Sequence, residues 1–289
     1  MPTPELVTDP AAWQASCLAA REAGTRIALV PTMGYLHEGH ASLLRAARRR
    51  ADEGGRRGLS LATIFVNPTQ FGPNEDLSRY PRDLEGDLAT CARAGVDRVL
   101  APRSPEQIFA PGHQTWVEVE GASAGLCGAS RPGHFRGVAT VVAKLFHLTL
   151  PHVALFGEKD WQQLQVLRTM ARELAFPVEV AGMPIVREPD GLALSSRNAY
   201  LSPAERGRAL ALSRALLAAQ ELALRGERDP AALAAAARRV LDPAVDRVDY
   251  VELVHPETLE PVARAVPGTR MLLAAFVGRT RLIDNLALP

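Results

Sequence analysis

The chain has 289 residues, of which 47% are hydrophobic, and its formal net charge is +1. That length holds one large or two medium domains, and so small a charge gives no sign of a nucleic-acid partner or an anionic membrane surface. The sequence shows no leader pattern, no membrane-spanning apolar run and no cysteine framework, so we expect a cytoplasmic protein.

Predicted strands and helices alternate over the first part of the chain. The apolar pattern predicts strands at 26–31, 59–66, 96–100, 152–156 and 178–186, and helices after His40 and at 83–94, 137–148 and 160–175. Repeated units of a strand followed by a helix indicate a parallel sheet that helices cover on both faces. Ligands of such sheets bind beyond the carboxyl ends of the strands, so we expect the site there.

The composition changes after Arg187. The pattern predicts a turn at 189–191, two Ala- and Leu-rich helices at 203–224 and 230–241, apolar runs at 248–254 and 271–277, and a turn at Gly278. These elements indicate a smaller C-terminal α+β domain. We therefore predict a first domain at 1–186 and a second at 187–289.

The tetrapeptide His37-Glu38-Gly39-His40 stands where the first predicted strand gives way to a helix. Backbone N–H groups at a helix start favour an anion, and the glycines nearby let a ligand approach the backbone. Two imidazoles at this position can donate hydrogen bonds to charge that grows in a transition state. A capped helix with two polar histidines is the alternative, but the pair favours nucleotide chemistry. No third metal ligand with suitable spacing accompanies the histidines, so we predict no metal site in the protein.

Lysine is rare in this chain. Lys144 and Lys159 are the two lysines among 33 basic residues. Lysine is a compact point charge, whereas arginine is a wide planar fork, so a narrow phosphate site selects lysine. Lys159 follows Gly157 between a predicted strand and a predicted helix, and Asp160 can cap that helix or accept from ribose hydroxyls. A solvated cation at 159 and a plain helix cap at 160 are the alternatives.

Three further polar clusters lie at strand ends or near the domain boundary. They are Asn67-Pro-Thr-Gln70, Arg131-Pro-Gly-His-Phe-Arg-Gly137 and Ser195-Ser-Arg-Asn198. The amides of the first suit a substrate with hydroxyls and a carboxylate, and the hydroxyls and guanidinium of the last suit outer phosphates. Each cluster taken alone is also explained as an ordinary polar loop. The chain has neither a P-loop nor a dinucleotide-binding glycine motif, so those two nucleotide folds lose support.

Five motifs together resemble the pantoate–β-alanine ligase (pantothenate synthetase) family. They are Pro31-Thr-Met-Gly-Tyr-Leu-His-Glu-Gly-His40, Phe65-Val-Asn-Pro-Thr-Gln-Phe71, Arg131-Pro-Gly-His-Phe-Arg-Gly-Val138, Gly157-Glu-Lys-Asp-Trp-Gln-Gln163 and Ser195-Ser-Arg-Asn198. A wide nucleotidylyl-transferase superfamily shares the His-x-Gly-His element alone, whereas the five motifs in this order are specific to the family.

The resemblance implies a Rossmann-like doubly wound ATP domain, followed by a small C-terminal domain that covers the active site. It also implies a homodimer that condenses pantoate with β-alanine through pantoyl adenylate, with ATP as a substrate and Mg²⁺ present, and that releases AMP and pyrophosphate. An adenylyl- or cytidylyltransferase is the nearest alternative. A non-catalytic nucleotide sensor on the same fold is the second, since fold does not imply function.

The resemblance also assigns roles to single residues. The ATP-binding positions are Pro31, Thr32, Met33, Gly34, His37, His40, Gly157, Lys159, Asp160, Val186, Ser195, Ser196 and Arg197. The pantoate-binding positions are Met33, Asn67, Gln70 and Gln163. The catalytic candidates are His37, His40 and Lys159, and Arg131 is a candidate for binding β-alanine. The chain departs from the family at Leu194, where Met is usual, and at 108–112, where Tyr-Pro-x-Gly is often found.

Overall fold

The computed structural model describes residues 3–73, 75 and 77–289. The strands are β1 Glu5–Val7, β2 Ile27–Thr32, β3 Leu59–Ile64, β4 Arg98–Leu100, β5 Val153–Gly157, β6 Glu179–Met183, β7 Arg247–Val254, β8 Arg270–Val277 and β9 Thr280–Ala287. The α-helices are α1 Pro10–Glu22, α2 Glu38–Ala51, α3 Leu84–Ala94, α4 Glu120–Ala124, α5 Cys127–Ser130, α6 His134–Thr149, α7 Trp161–Glu173, α8 Pro203–Ala209, α9 Ala211–Leu224 and α10 Pro230–Leu241. Short 3-10 helices occur at Pro68–Gln70, Leu77–Arg79, Pro105–Gln107, Glu158–Asp160 and Ser196–Tyr200. None of the helices within the described ranges has the length and apolar character needed to cross a bilayer.

The chain divides into two compact units. The first comprises the described residues up to Glu120 together with Arg131–Glu158 and Val166–Pro184, and the second comprises Gly121–Ser130, Lys159–Gln165 and Ile185–Pro289. The sequence-based division between 186 and 187 stays a prediction, and residues 1, 2, 74 and 76 of its first domain lie outside the described part of the chain.

The first unit is built on a six-stranded sheet. Its order is β1-β4-β3-β2-β5-β6, and every neighbouring pair is parallel. The predicted parallel, doubly wound sheet is therefore confirmed. From β2 the chain winds through β3 to β4, and it then crosses to β5 and β6 on the other side of β2. This reversal makes a topological switch point beyond the carboxyl ends of β2 and β5, where ligands of such sheets bind.

Apolar side chains bury both faces of this sheet. Ala28 and Val30 of β2 belong to a core that α2 and α3 complete. The alternate residues of β2 point to the opposite face, where α6 contacts β2 and α1 packs on α6. Trp13 of α1 is fully buried, and its indole N–H donates to the Thr149 hydroxyl at 3.0 Å. Because both faces are covered, the strand ends are the natural place for a site.

The second unit contains a small antiparallel sheet in the order β7-β8-β9, which confirms the predicted smaller α+β fold. Helices α9 and α10 pack around a core that includes Leu212, Leu233 and Leu273. The prediction missed β9 and gave only the turn before it. Gly278 and Arg279 form that two-residue turn, and Gly278 has φ +59°, a conformation that glycine adopts easily.

Two predicted elements end differently in the structure. The helix predicted at 203–224 is two helices, α8 and α9. The Ser213 hydroxyl donates to the Leu210 carbonyl at 3.1 Å, and a side-chain bond of this kind bends a helix. The strand predicted at 178–186 ends at Met183, because Pro184 has no N–H with which to continue the ladder.

Candidate functional site

The two histidines lie at the start of α2, beyond the carboxyl end of β2. His37 is the N-cap residue, and its Nδ1 accepts from the Gly39 N–H at 3.1 Å, while Nδ1 of His40 accepts from the His37 N–H at 3.3 Å. The two ring centroids are 4.1 Å apart. Because both Nδ1 atoms are acceptors, the neutral rings carry their protons on Nε2. The pair therefore adds two N–H donors to those of the helix start, a suitable arrangement for phosphate oxygens.

A buried carboxylate holds the loop between β2 and α2. Asp87 of α3 is 2% exposed, and it accepts from the N–H groups of Tyr35 at 2.9 Å and Leu36 at 2.6 Å. Burial raises the pKa of Asp87, and these two hydrogen bonds offset part of the shift. Gly34 has φ +84°, and a Cβ added there would lie 2.8 Å from Asp87 Oδ2. Glycine and the carboxylate together therefore fix the path of the chain toward His37.

Other predicted ATP-binding residues lie at strand ends. Pro31 and Thr32 end β2, and the Thr32 hydroxyl donates to the Thr63 carbonyl of β3 at 2.7 Å. Gly157 ends β5, and a Cβ added there would meet no atom of the described chain within 4 Å. Packing therefore does not require glycine at 157, and the close approach of a ligand there stays a prediction. Val186 lies three residues beyond β6.

Asn67 sets the orientation of the Gln70 amide. Asn67 is 1% exposed, and its Oδ1 accepts from the Thr69 N–H at 3.2 Å. Its Nδ2 must then face acceptors, and it donates to the Gly137 carbonyl at 3.1 Å and to Gln70 Oε1 at 3.0 Å. Nε2 of Gln70 consequently lies on the other side, 3.1 Å from Met33 Sδ. Gln70 therefore offers N–H donors, and Asn67 is turned inward to hold it.

The turn that carries Gln70 lies directly against α6. A Cβ added to Gly137 would collide with the backbone of Thr69 and Gln70, so this approach requires glycine. The predicted start of the helix at 137 is wrong, since α6 begins at His134. Gly137 serves close packing inside the helix and does not mark its end.

Arg131 has structural partners close to the same turn. It forms an ion pair with Glu75, through Nε at 2.9 Å and through a second N–H, and it donates to the Gln70 carbonyl at 3.3 Å. Nδ1 of His134 lies 2.8 Å from that carbonyl. Burial alone would raise the pKa of Glu75, but the hydrogen bond and charge of Arg131 outweigh it, so the pKa of Glu75 is lowered. These contacts favour a structural role for Arg131, and its contact with β-alanine stays a prediction.

The two lysines have different surroundings. Lys159 lies in the 3-10 helix Glu158–Asp160, which joins β5 to α7, and its side chain is half-buried. Within the described chain, no carboxylate forms an ion pair with it. Lys144 lies in α6 with its ammonium 5.4 Å from the centroid of the Phe109 ring, a packing contact that accounts for it. Lys159 is therefore the lysine available for an anion. Asp160, in the same turn, is exposed.

Consecutive glutamines at the start of α7 differ in role. Gln162 is 4% exposed, its Oε1 accepts from the Cys127 N–H at 2.9 Å, and its Nε2 donates to the carbonyls of Ala122 at 3.0 Å and Gly125 at 2.8 Å. Its amide is thus committed to holding the segment around α4. Gln163 is half-buried, and it is the glutamine that stays a candidate for substrate binding.

The Ser195–Asn198 cluster forms a defined turn. Ser195 caps the 3-10 helix that follows it, and its Oγ accepts from the Arg197 N–H at 3.3 Å. Asn198 Nδ2 donates to Glu188 Oε1 at 3.0 Å and to the Ala193 carbonyl at 3.1 Å. Ser196, like its two neighbours, is half-buried. The local hydrogen bonds shape this turn, and its contact with phosphates stays a prediction.

Metal centres and serine nucleophiles each require a specific arrangement of residues. No three side chains of His, Cys, Asp or Glu come together as a metal-binding group in the part of the chain that the structure describes. The segment Gly121-Ala-Ser-Ala-Gly125 matches the G-x-S-x-G pattern of hydrolase nucleophiles. However, Ser123 lies inside α4, and no described strand ends just before it, so the strained strand-to-helix turn of that motif is missing.

A family model described as pantoate-beta-alanine ligase matches residues 5–287 of the chain. The chain is 77% identical over 289 residues to the pantothenate synthetase of Anaeromyxobacter dehalogenans, with all of both chains covered. It is 61% identical over 270 residues to that of Myxococcus xanthus, which covers 93% of this chain and 90% of the relative.

Solved structures are similar over nearly the whole length. The pantothenate synthetase of Thermus thermophilus matches with a TM-score of 0.91 and 49% identity, over 99% of this chain and 100% of that one. The pantoate-beta-alanine ligase of Francisella tularensis, complexed with beta-gamma ATP and beta-alanine, matches with a TM-score of 0.79 and 29% identity. That match covers 98% of this chain and 97% of the other.

Proposed function

This chain belongs to the pantoate–β-alanine ligase family, and we propose that its residues carry out an ATP-dependent condensation of pantoate with β-alanine through pantoyl adenylate. The chain is accordingly a carbon–nitrogen ligase of pantothenate biosynthesis. The observation that carries the proposal is the family match over residues 5–287. The paired Nε2–H donors of His37 and His40, beyond the end of β2, support it.

The reaction needs activation because a carboxylate does not condense with an amine in water, where hydroxide would have to leave. A carboxylate oxygen of pantoate attacks the α-phosphorus of ATP. The bond from that phosphorus to the bridging oxygen breaks, and pyrophosphate leaves with the electron pair. The amine of β-alanine then attacks the carbonyl of the mixed anhydride, AMP leaves, and the nitrogen loses one proton. Neither step requires a covalent enzyme nucleophile.

The first step brings an anion to a polyanion, so the protein must supply donors and positive charge. We assign the Nε2–H groups of His37 and His40 to the ATP phosphates, together with the ammonium of Lys159. The second step has no strong general base among these residues. It depends on the placement of the amine against the activated carbonyl, and such placement accounts for much of the rate in reactions of this kind.

The hydrogen bonds between the Asn67 and Gln70 amides support an assignment of the pantoate-binding residues. We assign Gln70 and Gln163 to pantoate, and the orientation of Gln70 makes it a donor to the carboxylate or a hydroxyl. The hydrogen bonds of the buried Asn67 amide support a role in orienting Gln70, and its own predicted contact with pantoate stays a prediction. Glycine at 157 and the carboxylate of Asp160 are assigned to the ribose side. The turn that includes Ser195, Ser196 and Arg197 is assigned to the outer phosphates.

Mg²⁺ enters the proposal as part of the MgATP substrate. In this substrate the phosphates of the nucleotide coordinate the ion. Pantoate as the acid and a homodimeric assembly rest on the family resemblance. A cytoplasmic location is supported by the three cysteines, which are free thiols as in a reducing compartment.

The proposed order of steps gives a direct test. Exchange of labelled pyrophosphate into ATP should require pantoate and proceed without β-alanine, because the adenylate forms before the amine is needed. Addition of β-alanine should then release AMP. Exchange that appears only when β-alanine is present would contradict the adenylate route.

The same assay separates the two rival functions. A nucleotide sensor would show no exchange, and a nucleotidylyltransferase would release a stable nucleotidyl product in place of AMP. An AMP-release measurement across a panel of acids and amines then identifies the substrates.

Gln163→Ala should raise the KM for pantoate at least about tenfold, since a hydrogen bond to a charged group is lost. The KM for ATP and the melting temperature should change little. Gln162→Ala is the matched control, because it removes a neighbouring amide whose three hydrogen bonds are internal. It should lower the melting temperature and leave the pantoate KM near normal. Equal losses in pantoate and ATP affinity for Gln163→Ala would show that Gln163 is structural.

A further inference from the structure

Two adjacent polar residues lie buried in β9. Asp284 and Asn285 are each 2% exposed, in a strand whose partner β8 is apolar from Met271 to Val277. Successive residues of a strand point to opposite faces, so the two side chains reach different parts of the second unit. Burial of polar groups costs free energy unless each finds a partner. Each of the two side chains therefore needs hydrogen-bond or ionic partners inside the fold.

Asn285 holds the backbone of Lys159. Its Nδ2 donates to the Lys159 carbonyl at 2.9 Å, and its Oδ1 accepts from Arg270 Nε at 2.7 Å. The Arg270 guanidinium lies 3.6 Å from the centroid of the Trp161 ring. The indole N–H of Trp161 donates to the Pro256 carbonyl at 2.8 Å. The turn with Lys159 and the first residue of α7 are thus anchored to the small sheet.

Asp284 holds a second segment. It forms a two-point ion pair with Arg187, at 2.7 Å and 2.9 Å, and Arg187 also donates to the Gly191 carbonyl at 3.1 Å. Arg187 pairs with Ala193 in an antiparallel bridge, so it steadies the hairpin that leads to Ser195. One dipeptide therefore contacts both segments of the second unit that carry predicted phosphate-binding residues.

We propose that Asp284 and Asn285 are positioning residues, which fix the backbones of Lys159 and of the Ser195 turn in the geometry that ATP requires. The proposal rests on the function proposed above for Lys159. Apolar side chains at positions 284 and 285 could be buried in β9 without polar partners, as the apolar side chains of β8 are. The polar pair instead forms directional hydrogen bonds and an ion pair with two chain segments. These interactions fix the positions of the backbone at Lys159 and of the hairpin that leads to Ser195, which apolar packing alone would not do.

Asn285→Asp tests the link to Lys159. The carboxylate keeps an acceptor for Arg270 but has no N–H for the Lys159 carbonyl, so that hydrogen bond is lost. Single-turnover formation of pantoyl adenylate should slow about tenfold, the upper range for a lost neutral hydrogen bond. Attack of β-alanine on supplied pantoyl adenylate should stay near normal, because the pyrophosphate groups that Lys159 would meet are absent from that step. Asn285→Ser should give the same pattern without a new buried charge.

The control for a purely structural effect is Leu282→Ala, which truncates a buried side chain of the same strand that belongs to the apolar core of the second unit. It should lower the melting temperature and slow both half-reactions to the same extent. If Asn285→Asp and Asn285→Ser behave as Leu282→Ala does, the positioning role is overturned.

A double variant decides whether Asn285 acts through Lys159. In a Lys159→Ala background, Asn285→Asp should add little further slowing. If it still slows adenylate formation as much as in the unmodified enzyme, the proposal is wrong while the ligase function stands. Failure of the unmodified enzyme to form adenylate from pantoate and ATP would instead contradict the proposed function itself.

Discussion

Lys159→Ala is expected to slow pantoyl-adenylate formation about 10²–10³-fold while the protein stays folded, because it removes one strong contact to the developing charge. The side chain lies beyond the end of β5, is half-buried, and forms no ion pair with a carboxylate of the described chain. Its removal therefore costs the fold little. Single-turnover kinetics with the melting temperature measured alongside separate the two effects.

The conservative variant is more informative. Lys159→Arg keeps the positive charge but presents a wide fork where a point charge is expected, so we expect slower adenylate formation with a normal melting temperature. Lys144→Arg is the matched control, because Lys144 packs over the Phe109 ring and an arginine can do the same. Near-normal chemistry in Lys159→Arg would show that any cation suffices. A collapsed melting temperature in Lys159→Ala would give Lys159 a structural role.

The location of the candidate site is predictable from the sequence because its signals are local. The apolar run of β2, the glycine turn and the pair His37 and His40 follow one another, and they specify a strand, a loop and a helix start without any distant contact. The same holds for β5 and the turn with Lys159. Regular alternation of strands and helices then suffices to predict a parallel sheet and hence a site at its carboxyl edge.

The residues that hold the site in place give no such signal. Asp87 reads as one more acidic residue in the first turn of a helix, yet its partners are Tyr35 and Leu36, about fifty positions away. Asn285 lies 126 positions from Lys159 and interrupts an apolar pattern, which also explains why β9 escapes prediction. These contacts exist only after the chain has folded, so periodicity and motif spacing do not contain them.

Asp87 can be tested with an isosteric change. Asp87→Asn leaves one acceptor oxygen for two N–H groups, and its own NH₂ then faces the N–H of Tyr35 or Leu36. Leaving a buried donor without an acceptor costs about 1–3 kcal/mol, so we expect a lower free energy of unfolding by that amount. We also expect adenylate formation to slow about 10²-fold, since small displacements of groups that contact the reacting atoms have effects of this size.

Asp97 is the matched control in the first unit, because it lies at the amino ends of the strands, opposite to Asp87. Asp97 accepts from the Ser60 N–H at 2.8 Å and pairs with Arg48 and Arg57 at 2.5 Å and 2.7 Å, at the amino ends of β3 and β4. Asp97→Asn should therefore lower the free energy of unfolding at least as much as Asp87→Asn. Its rate of adenylate formation, measured per folded molecule, should stay near normal because His37 and His40 lie at the other end of the strands. If both variants slow the reaction equally, global stability controls the rate. Asp87 then has no specific role in positioning the loop between β2 and α2. A selective loss in Asp87→Asn would show that the carboxylate under the loop sets the position of the two imidazoles.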